Sequence, residues 1–303
     1  MTHHVLAVVF VALGFASGAF AQTDPAALVK EGQKLENAGQ FEEALAIYRK
    51  VAGAHPDRFD AHLGMGRVLD LRGNYTEART HLQQAITLAP EASRNQALAA
   101  MAVSYAFEGN AAGAAKYYQQ VFDRQMKEGS PGGAAGVANA LGRVYLETGD
   151  TASAEKWYRT GYETSKTIEK LSPEDADLWE MRWQHAQGRI AARRGQADAA
   201  RTHIEGVRAI VARGRLDEEQ RSHAPHLAGY VALYLKEYDA AIAELSKADQ
   251  TDPFILGLLA QAYEAKKEVA KARDLYAQIL EMPGHILQVA FSRPLAQRRL
   301  AAM

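Results

Sequence analysis

The sequence contains no cysteine among its 303 residues, which excludes disulfide bonds, thiolate metal sites and cysteine nucleophiles. It also has no excess of one charge, because 35 basic side chains face 36 acidic ones, a formal net charge of −1. A protein that binds nucleic acid as its main task needs surplus cations to neutralise phosphates, so this balance argues against a nucleic-acid partner. Aromatic residues make up only 8% of the chain, but 48% is apolar, which is enough to form a substantial core.

One long apolar run lies at the N-terminus. Residues 5–20 carry no charge, and Ala19-Phe20-Ala21 at the end of the run fits the A-x-A cleavage site of a signal peptide. The run is shorter than the roughly 20 apolar residues of a membrane-spanning helix. We therefore expect residues 1–21 to be a signal peptide, and residues 22–303 to be periplasmic without stable membrane insertion. Because no Lys or Arg precedes the run, secretion or an uncleaved N-terminal anchor is the alternative.

The remainder of the chain repeats one pattern. Gly39 is followed by an aromatic residue and then by Ala44, and Gly73 heads a similar segment that contains Ala78, 34 residues after Ala44. Further copies give seven alanines in equivalent positions: Ala44, Ala78, Ala114, Ala154, Ala200, Ala241 and Ala272. The unequal steps between the later copies indicate longer helices or connections there.

A second helical stretch precedes each of these alanines. It carries a small residue where two helices must approach closely, at Gly32, Gly66, Ala102, Gly142, Gly188, Gly229 and Ala260. Five copies place a glycine between the two stretches, where it ends a helix and adopts positive φ: Gly39, Gly73, Gly109, Gly149 and Gly195. Each copy is therefore predicted to fold as helix, tight turn, helix, and no stretch has the pattern of a strand.

These residues resemble the tetratricopeptide repeat, whose 34-residue pattern of small, Leu or Tyr, Gly, aromatic, Ala and Pro positions they reproduce over about residues 25–284. Pro56 and Pro90 complete the pattern in the first two copies. The resemblance implies an all-α, right-handed solenoid of about seven repeats, with a concave groove that holds a peptide or a protein helix. The predicted boundaries are 25–58, 59–92, 95–128, 135–168, 181–214, 222–252 and 253–284, followed by a short C-terminal capping helix within 285–303.

Three segments depart from the regular pattern. Residues 129–133 contain three glycines and a proline, which predicts a loop that lengthens one connection. Ser172 and Pro173 have the pattern of a helix cap, and they predict a long helix over about 173–194 in which Trp179 and Trp183 pack against the preceding helix. After the seventh copy, Leu295 and Leu300 are expected to cover the last apolar face, with Arg298 and Arg299 turned outward.

The sequence contains none of the catalytic motifs that would indicate an enzyme. There is no phosphate-binding P-loop, no G-x-S-x-G elbow and no H-E-x-x-H zinc motif. His223 and His226 share a helix face, but two histidines without carboxylates at regular spacing form a weak metal site. We therefore expect a protein that is not an enzyme and has neither a cofactor nor a metal.

One stripe of polar residues is left over once the repeat pattern is assigned. In the fourth to sixth copies, the face of the first helix that points away from its partner helix carries arginine, histidine and tyrosine side chains. The predicted partner-binding residues are Asn139, Arg143, Arg182, His185, Arg189, His226, Tyr230 and Tyr234. Because arginine presents paired donors to a carboxylate, the expected partner is a protein or peptide with an acidic segment or a C-terminal carboxylate.

The function that follows is a non-catalytic scaffold of the cell envelope. Two alternatives remain open: a ligand-binding or enzymatic protein with a pocket in copies four to six, and a structural spacer in an envelope assembly. At the level of the stripe, the alternative is that its arginines are solvated or that Arg182 and Arg189 pair with acids such as Asp177.

Overall fold

The computed structural model describes residues 24–303, so the predicted signal peptide lies outside it. Throughout that range the regular structure is helical, and no strand is present in it. The helices are α1 (Pro25–Asn37), α2 (Phe41–Ala54), α3 (Phe59–Leu71), α4 (Tyr75–Leu88), α5 (Arg94–Phe107), α6 (Ala111–Lys127), α7 (Pro131–Glu147), α8 (Thr151–Ser165), α9 (Pro173–Arg193), α10 (Ala197–Ala212), α11 (Glu218–Arg221), α12 (His223–Tyr234), α13 (Tyr238–Leu245), α14 (Pro253–Ala265), α15 (Val269–Glu281) and α16 (Leu287–Ala302). A short 3₁₀ turn, Glu91–Ser93, precedes α5.

Consecutive helices pack as seven hairpins, which confirms the predicted all-α repeat solenoid. The pairs are α1 with α2, α3 with α4, α5 with α6, α7 with α8, α9 with α10, α12 with α13, and α14 with α15. Among residues 24–303, no helix is both long enough and apolar enough to cross a membrane.

Small residues let the two helices of a hairpin approach each other, as the sequence predicts. A Cβ atom added at Gly32 would lie 2.7 Å from the Tyr48 ring, and one added at Gly142 would lie 2.9 Å from the ring of Tyr158. Both tyrosines are almost completely buried. In these two hairpins a large side chain fills the space above a glycine, a contact that leaves no room for another methylene.

The turns within the hairpins confirm the predicted role of glycine and add an exception. Gly39, Gly73, Gly109, Gly149 and Gly195 have φ between 68° and 97°. In the sixth and seventh hairpins the same position is occupied by lysine, and Lys236 and Lys267 both have φ of 64°. A non-glycine residue costs about 1–2 kcal/mol in this conformation, so the last two turns are less favourable than the first five.

The segment over residues 129–133 is not the predicted loop. Helix α7 begins at Pro131, so the connection from α6 contains only residues 128–130. Proline is favoured in the first turn of a helix because its missing N–H needs no partner there. Gly133 lies close to α6, since a Cβ at this position would be 2.8 Å from the Gln125 side chain. The glycine therefore permits helix contact instead of breaking the helix.

The long ninth helix begins as predicted, and Trp183, one of its two tryptophans, packs on the preceding helix as predicted. The Ser172 Oγ accepts a hydrogen bond of 3.0 Å from the backbone N–H of Asp175, which caps α9. Trp183 stacks on Tyr162 of α8, with ring centroids 5.3 Å apart and an interplanar angle of 7°. Helix α9 is 21 residues long, compared with 15 for α8 and 16 for α10.

The C-terminal half of α16 covers the last hairpin, as predicted. Ala296 is buried against Tyr276 and Ile279 of α15, and Leu295 and Leu300 pack beside them. Arg298 and Arg299 are exposed.

The packing of the N-terminal half of α16 is a feature that the sequence does not predict. It crosses the concave side and packs against α5 and α7. Leu287, Val289 and Ala290 share one apolar cluster with Phe107 of α5 and Leu141 of α7. The helix is therefore both the end cap of the solenoid and part of its inner surface.

The segment that leads into α16 also reaches the N-terminal repeats. The His285 Nε2 lies 2.8 Å from the Asp70 Oδ2, and both side chains are buried. In α16, the Arg293 guanidinium lies 5.3 Å from the ring centroid of Phe41. A Cβ at Gly39 would be 3.7 Å from the backbone oxygen of Glu281, at the end of α15. The superhelix thus curves until its C-terminal segment lies against α2 and α3.

Candidate functional site

A cavity of about 710 Å³ lies on the concave side, and residues of α7, α9 and α12 line it together with the segment 285–288. Cavities of roughly 300–1,000 Å³ are typical of ligand sites. Six of the eight predicted partner-binding residues line this cavity: Asn139, Arg143, Arg182, His185, Arg189 and His226. On each helix the predicted residues point toward the cavity together, because residues three, four and seven positions apart lie on the same helix face.

Arg143 is the residue that most directly offers hydrogen bonds to a ligand. Its guanidinium lies 4.4 Å from the ring centroid of Phe254 and 6.0 Å from that of Phe291. The Nε and one Nη are buried and have no hydrogen-bond partner among residues 24–303. Burial lowers the pKa of Arg143, and the nearby charge of Asp252 opposes this effect. The side chain is therefore a cation with unused donors.

Asp252 accepts no hydrogen bond from these two nitrogens of Arg143. Its Oδ1 accepts a hydrogen bond of 2.7 Å from the backbone N–H of Phe254 and caps α14. Burial raises the pKa of this carboxyl group. Asp252 therefore acts on Arg143 through its charge, while its hydrogen bond stabilises the start of a helix.

Arg189 is held by the protein itself. Its Nη2 donates a hydrogen bond of 2.7 Å to the Tyr158 hydroxyl, and its Nη1 lies 3.7 Å from the Glu147 Oε1. The side chain is 6% exposed. Arg189 therefore lines the cavity mainly as a buried positive charge. Its partner Glu147, at the end of α7, is an acid that the sequence analysis does not identify; Asp177 instead pairs with Arg213 and Arg215.

Tyr230 and Tyr234 belong to the packing between α9 and α12. Tyr230 is fully buried, and its hydroxyl accepts a hydrogen bond of 2.7 Å from the Arg193 Nε and donates one of 3.3 Å to Glu147. The Tyr234 ring lies 4.6 Å from that of Tyr230, beneath the Arg193 guanidinium. Both tyrosines lie outside the cavity lining, so the expectation that Tyr230 presents its ring to a partner is wrong: a 0% exposed ring has no surface to offer.

Arg182 stands at the rim of the cavity. It is exposed, and its guanidinium lies 4.8 Å from the Trp179 ring. Asn139 also lines the cavity, and a Cβ at Gly161 of α8 would be 2.8 Å from its Oδ1. Arg182 thus adds a positive charge and Asn139 a neutral amide to the lining.

Three histidines meet on the cavity wall. The ring of His185 on α9 lies 4.8 Å from that of His226 and 5.7 Å from that of His223, both on α12. Burial is the main cause that lowers the pKa of each, to about 4 for His223, and nearby arginine charges act in the same direction. All three imidazoles are therefore neutral at neutral pH. The sequence pairs only His223 with His226, because His185 reaches them from another helix.

The comparison with family models agrees with the repeat pattern. A model described as tetratricopeptide repeat matches residues 29–93, 99–167 and 226–284, and a second model of that description matches residues 182–205. A search of curated proteins found no match.

Solved structures share the architecture at low sequence identity. The crystal structure of a tetratricopeptide repeat protein from Parabacteroides merdae is 12% identical, with a TM-score of 0.56, and the match covers 91% of this chain and 97% of that one. The apo form of RapI is 9% identical, with a TM-score of 0.59 and coverage of 92% and 99%. A kinesin light chain repeat protein from Podosopora anserina is 22% identical, with a TM-score of 0.51 and coverage of 62% and 95%. At these identities the likeness concerns the fold.

Proposed function

The chain belongs to the tetratricopeptide repeat family, and we propose that it is a non-catalytic scaffold of the cell envelope that binds a protein or peptide in its concave cavity. Repeats of this family generally mediate interactions between proteins. The cavity between α7, α9 and α12 is the place where this chain offers unused polar groups to a partner.

The observation that carries the proposal is the state of Arg143. Two guanidinium nitrogens are buried without a hydrogen-bond partner among the residues that the structure describes. An unmet hydrogen bond of a buried charged group is costly, and an anionic acceptor would remove that cost. A carboxylate fits best, because arginine donates to it through two parallel hydrogen bonds. The proposed ligand group is therefore an acidic side chain or a C-terminal carboxylate of the partner.

The surroundings of Arg143 favour binding of such a group. The Arg143 guanidinium lies over the Phe254 ring and beside Phe291, which limits its freedom before a ligand arrives. Arg189 and the rim residue Arg182 add positive charge, whereas Glu219 and Asp249 on the same lining limit it. The ligand contact is thus local, directed at one arginine, and it does not depend on a strongly basic surface.

The size of the cavity favours a second candidate, a small carboxylic acid as ligand. A volume of about 710 Å³ lies within the range of small-molecule sites. Calorimetric titration with citrate and succinate separates the candidates, because a small-molecule site would saturate without any protein partner.

Location in the envelope is part of the proposal and depends on residues 1–21. Ala19 and Ala21 are the small residues that a signal peptidase requires, so the mature N-terminus is expected at Gln22. N-terminal sequencing of the protein recovered from the exporting compartment measures this directly. Retention of residues 1–21 in a membrane fraction would contradict cleavage.

The test of partner binding replaces Arg143 by methionine, which keeps an unbranched apolar side chain and removes the charge. Envelope proteins are captured with the wild-type chain, with Arg143→Met and with the exposed control Arg298→Met. Loss of a charge-assisted hydrogen bond of about 1.5–3 kcal/mol corresponds to roughly 10- to 150-fold weaker binding. We expect the wild type and the Arg298→Met variant to retain the partner and Arg143→Met to lose it.

Circular dichroism and thermal unfolding check that the variants are folded. If folded Arg143→Met captures the same partners with the same affinity at the same salt concentration, the cavity is not the binding surface. The convex face would then be the next surface to test.

A further inference from the structure

The proposed contact between Arg143 and a carboxylate uses none of the three histidines on the cavity wall. We propose that His185, His223 and His226 bind one divalent transition-metal ion, and that Zn²⁺ is the ion that fits them best. This inference goes beyond the proposed function, because the ion is held by side chains of this chain and its binding requires no partner.

The geometry brings one ligand atom from each histidine into a small volume. The three ligand atoms lie within 4.8 Å of one another. Around a tetrahedral zinc ion with Zn–N bonds of about 2.0–2.1 Å, the nitrogens are about 3.3 Å apart. Closing that difference requires the imidazole rings to move toward one another, with His223 and His226 on one face of α12 and His185 approaching from α9.

Two of the three rings hold a nitrogen that lacks a partner. The Nε2 atoms of His185 and His226 are buried without a hydrogen bond to any of residues 24–303, although these side chains are only 7% and 5% exposed. Buried polar atoms are normally satisfied, so each unpaired nitrogen needs an explanation. A metal ion explains both at once, because neutral imidazole is a common ligand of zinc, copper and nickel.

The protonation state is already the one that a metal requires. A histidine binds a metal only as neutral imidazole, so a protonated ring must first lose its proton. Burial lowers the pKa of all three histidines, and Arg189 and Arg143 lower it further. At neutral pH the ion therefore displaces no proton from these rings.

Charges of both signs surround the histidine cluster, so some repel a metal ion and others attract it. Arg143 and Arg189 repel a cation, whereas Glu219, Asp249 and Asp252 lie on the lining of the same cavity and attract it. The coordinate bonds to three neutral imidazoles must therefore provide most of the affinity. Three protein ligands would leave the fourth position of a tetrahedral ion open for a group in the cavity that these histidines line.

The experiment uses the purified protein without a polyhistidine tag, treated with EDTA and then dialysed. Calorimetric titration with ZnCl₂ is expected to give one ion per chain, and titration with CoCl₂ is expected to give the intense visible absorption of four-coordinate Co²⁺. Thermal unfolding of the zinc-loaded protein should occur at a higher temperature, since a ligand that binds only the folded state stabilises it.

Single variants identify the ligands. His185→Gln, His223→Gln and His226→Gln are each expected to weaken zinc binding by more than about 100-fold, since loss of even an outer-shell partner costs about 10- to 100-fold. The matched control is His81→Gln, from the half-buried pair in which the Nδ1 atoms of His62 and His81 are 3.2 Å apart. His223 is the least buried of the three, so His223→Gln keeps the test valid if a buried variant fails to fold.

The proposal is wrong if ZnCl₂ gives no saturable binding, if folded His223→Gln binds zinc as the wild type does, or if only His81→Gln abolishes binding. Because no partner is present, these results are independent of the Arg143 experiment. A failed zinc titration would not contradict the proposed partner binding, and a failed capture would not contradict the proposed metal site.

Discussion

At the scale of single residues, the buried histidines make the stability of this protein depend on pH. His185, His223 and His226 have lowered pKa values in the folded state, mainly because of burial. In the unfolded chain they regain a pKa of about 6.5. Between pH 6.5 and the lower folded values, the unfolded state binds more protons, so stability falls as the pH falls through this window.

We expect the free energy of unfolding to decrease between pH 7 and pH 5 by up to about 2 kcal/mol for each of these histidines. The measurement is urea unfolding at both pH values in the presence of EDTA, for the wild type and for His226→Gln. Carboxylates contribute similarly to both proteins, and the variant also lacks the His226 charge that lowers the pKa of His185. The variant should therefore lose less stability on acidification, and an equal loss would show that His226 is not held neutral by the fold.

Three arginines on α7 and α9 also differ at this scale in how the fold uses them. Arg189 and Arg193 are both directed to Glu147, while Arg143 keeps two nitrogens without a partner in the described part of the chain. Their sequence context is similar, and only the position of one acid on α7 separates a structural arginine from a candidate binding arginine.

At the scale of the helical hairpin, stability depends on close contact between a small and a large residue. Gly142 and Gly136 lie on the same helix, α7, but a Cβ at Gly142 would be 2.9 Å from Tyr158, whereas no heavy atom of residues 24–303 lies within 4 Å of one at Gly136. The two positions therefore allow the same substitution to be compared in one helix.

Gly142→Leu is expected to destabilise the protein by about 1–3 kcal/mol through overpacking. Gly136→Leu should be neutral or stabilising by up to about 1 kcal/mol, because leucine has the higher helix propensity. Thermal unfolding, followed by circular dichroism at about 222 nm as a measure of the helix content of the whole chain, gives the stability of both variants. Equal melting temperatures would contradict the contact between α7 and α8.

At the scale of the whole molecule, the decisive feature is the contact between the two ends of the solenoid. Asp70 in α3 accepts hydrogen bonds from Ser104 in α5, at 2.9 Å, and from His285 before α16, at 2.8 Å. Repeat proteins usually depend on contacts between neighbouring repeats alone. Here a buried polar contact joins the third helix to the C-terminal segment, which also forms one wall of the cavity.

A double-mutant cycle tests this closure. Asp70→Asn, His285→Ala and the double variant are compared by urea unfolding. Residues that share a buried hydrogen bond couple by about 0.5–3 kcal/mol, so the effects of the single variants should not add. Strict additivity would mean that the C-terminal segment does not rest on α3 in solution.

The repeat, the order of the hairpins and the faces on which their helices meet can all be predicted from the sequence. This information is local, because a glycine opposite a tyrosine and a glycine at a positive φ both act within one hairpin. The stripe on α7, α9 and α12 was equally readable, since helical periodicity alone places Arg143 or His185 on one face. The prediction of a loop at the glycine-rich start of α7 is wrong, because Gly133 permits contact with α6, which composition does not reveal.

The burial and the contacts of each residue in that stripe depend on the tertiary structure. The curvature of the solenoid accumulates over seven hairpins, and a small rotation per repeat brings α16 against α5 and His285 against Asp70. The same packing puts His185 beside His223 and His226, and it buries Tyr230 against Glu147. These contacts join residues on different hairpins, so no periodicity within one segment encodes them, and they exist only once the helices have taken their relative positions.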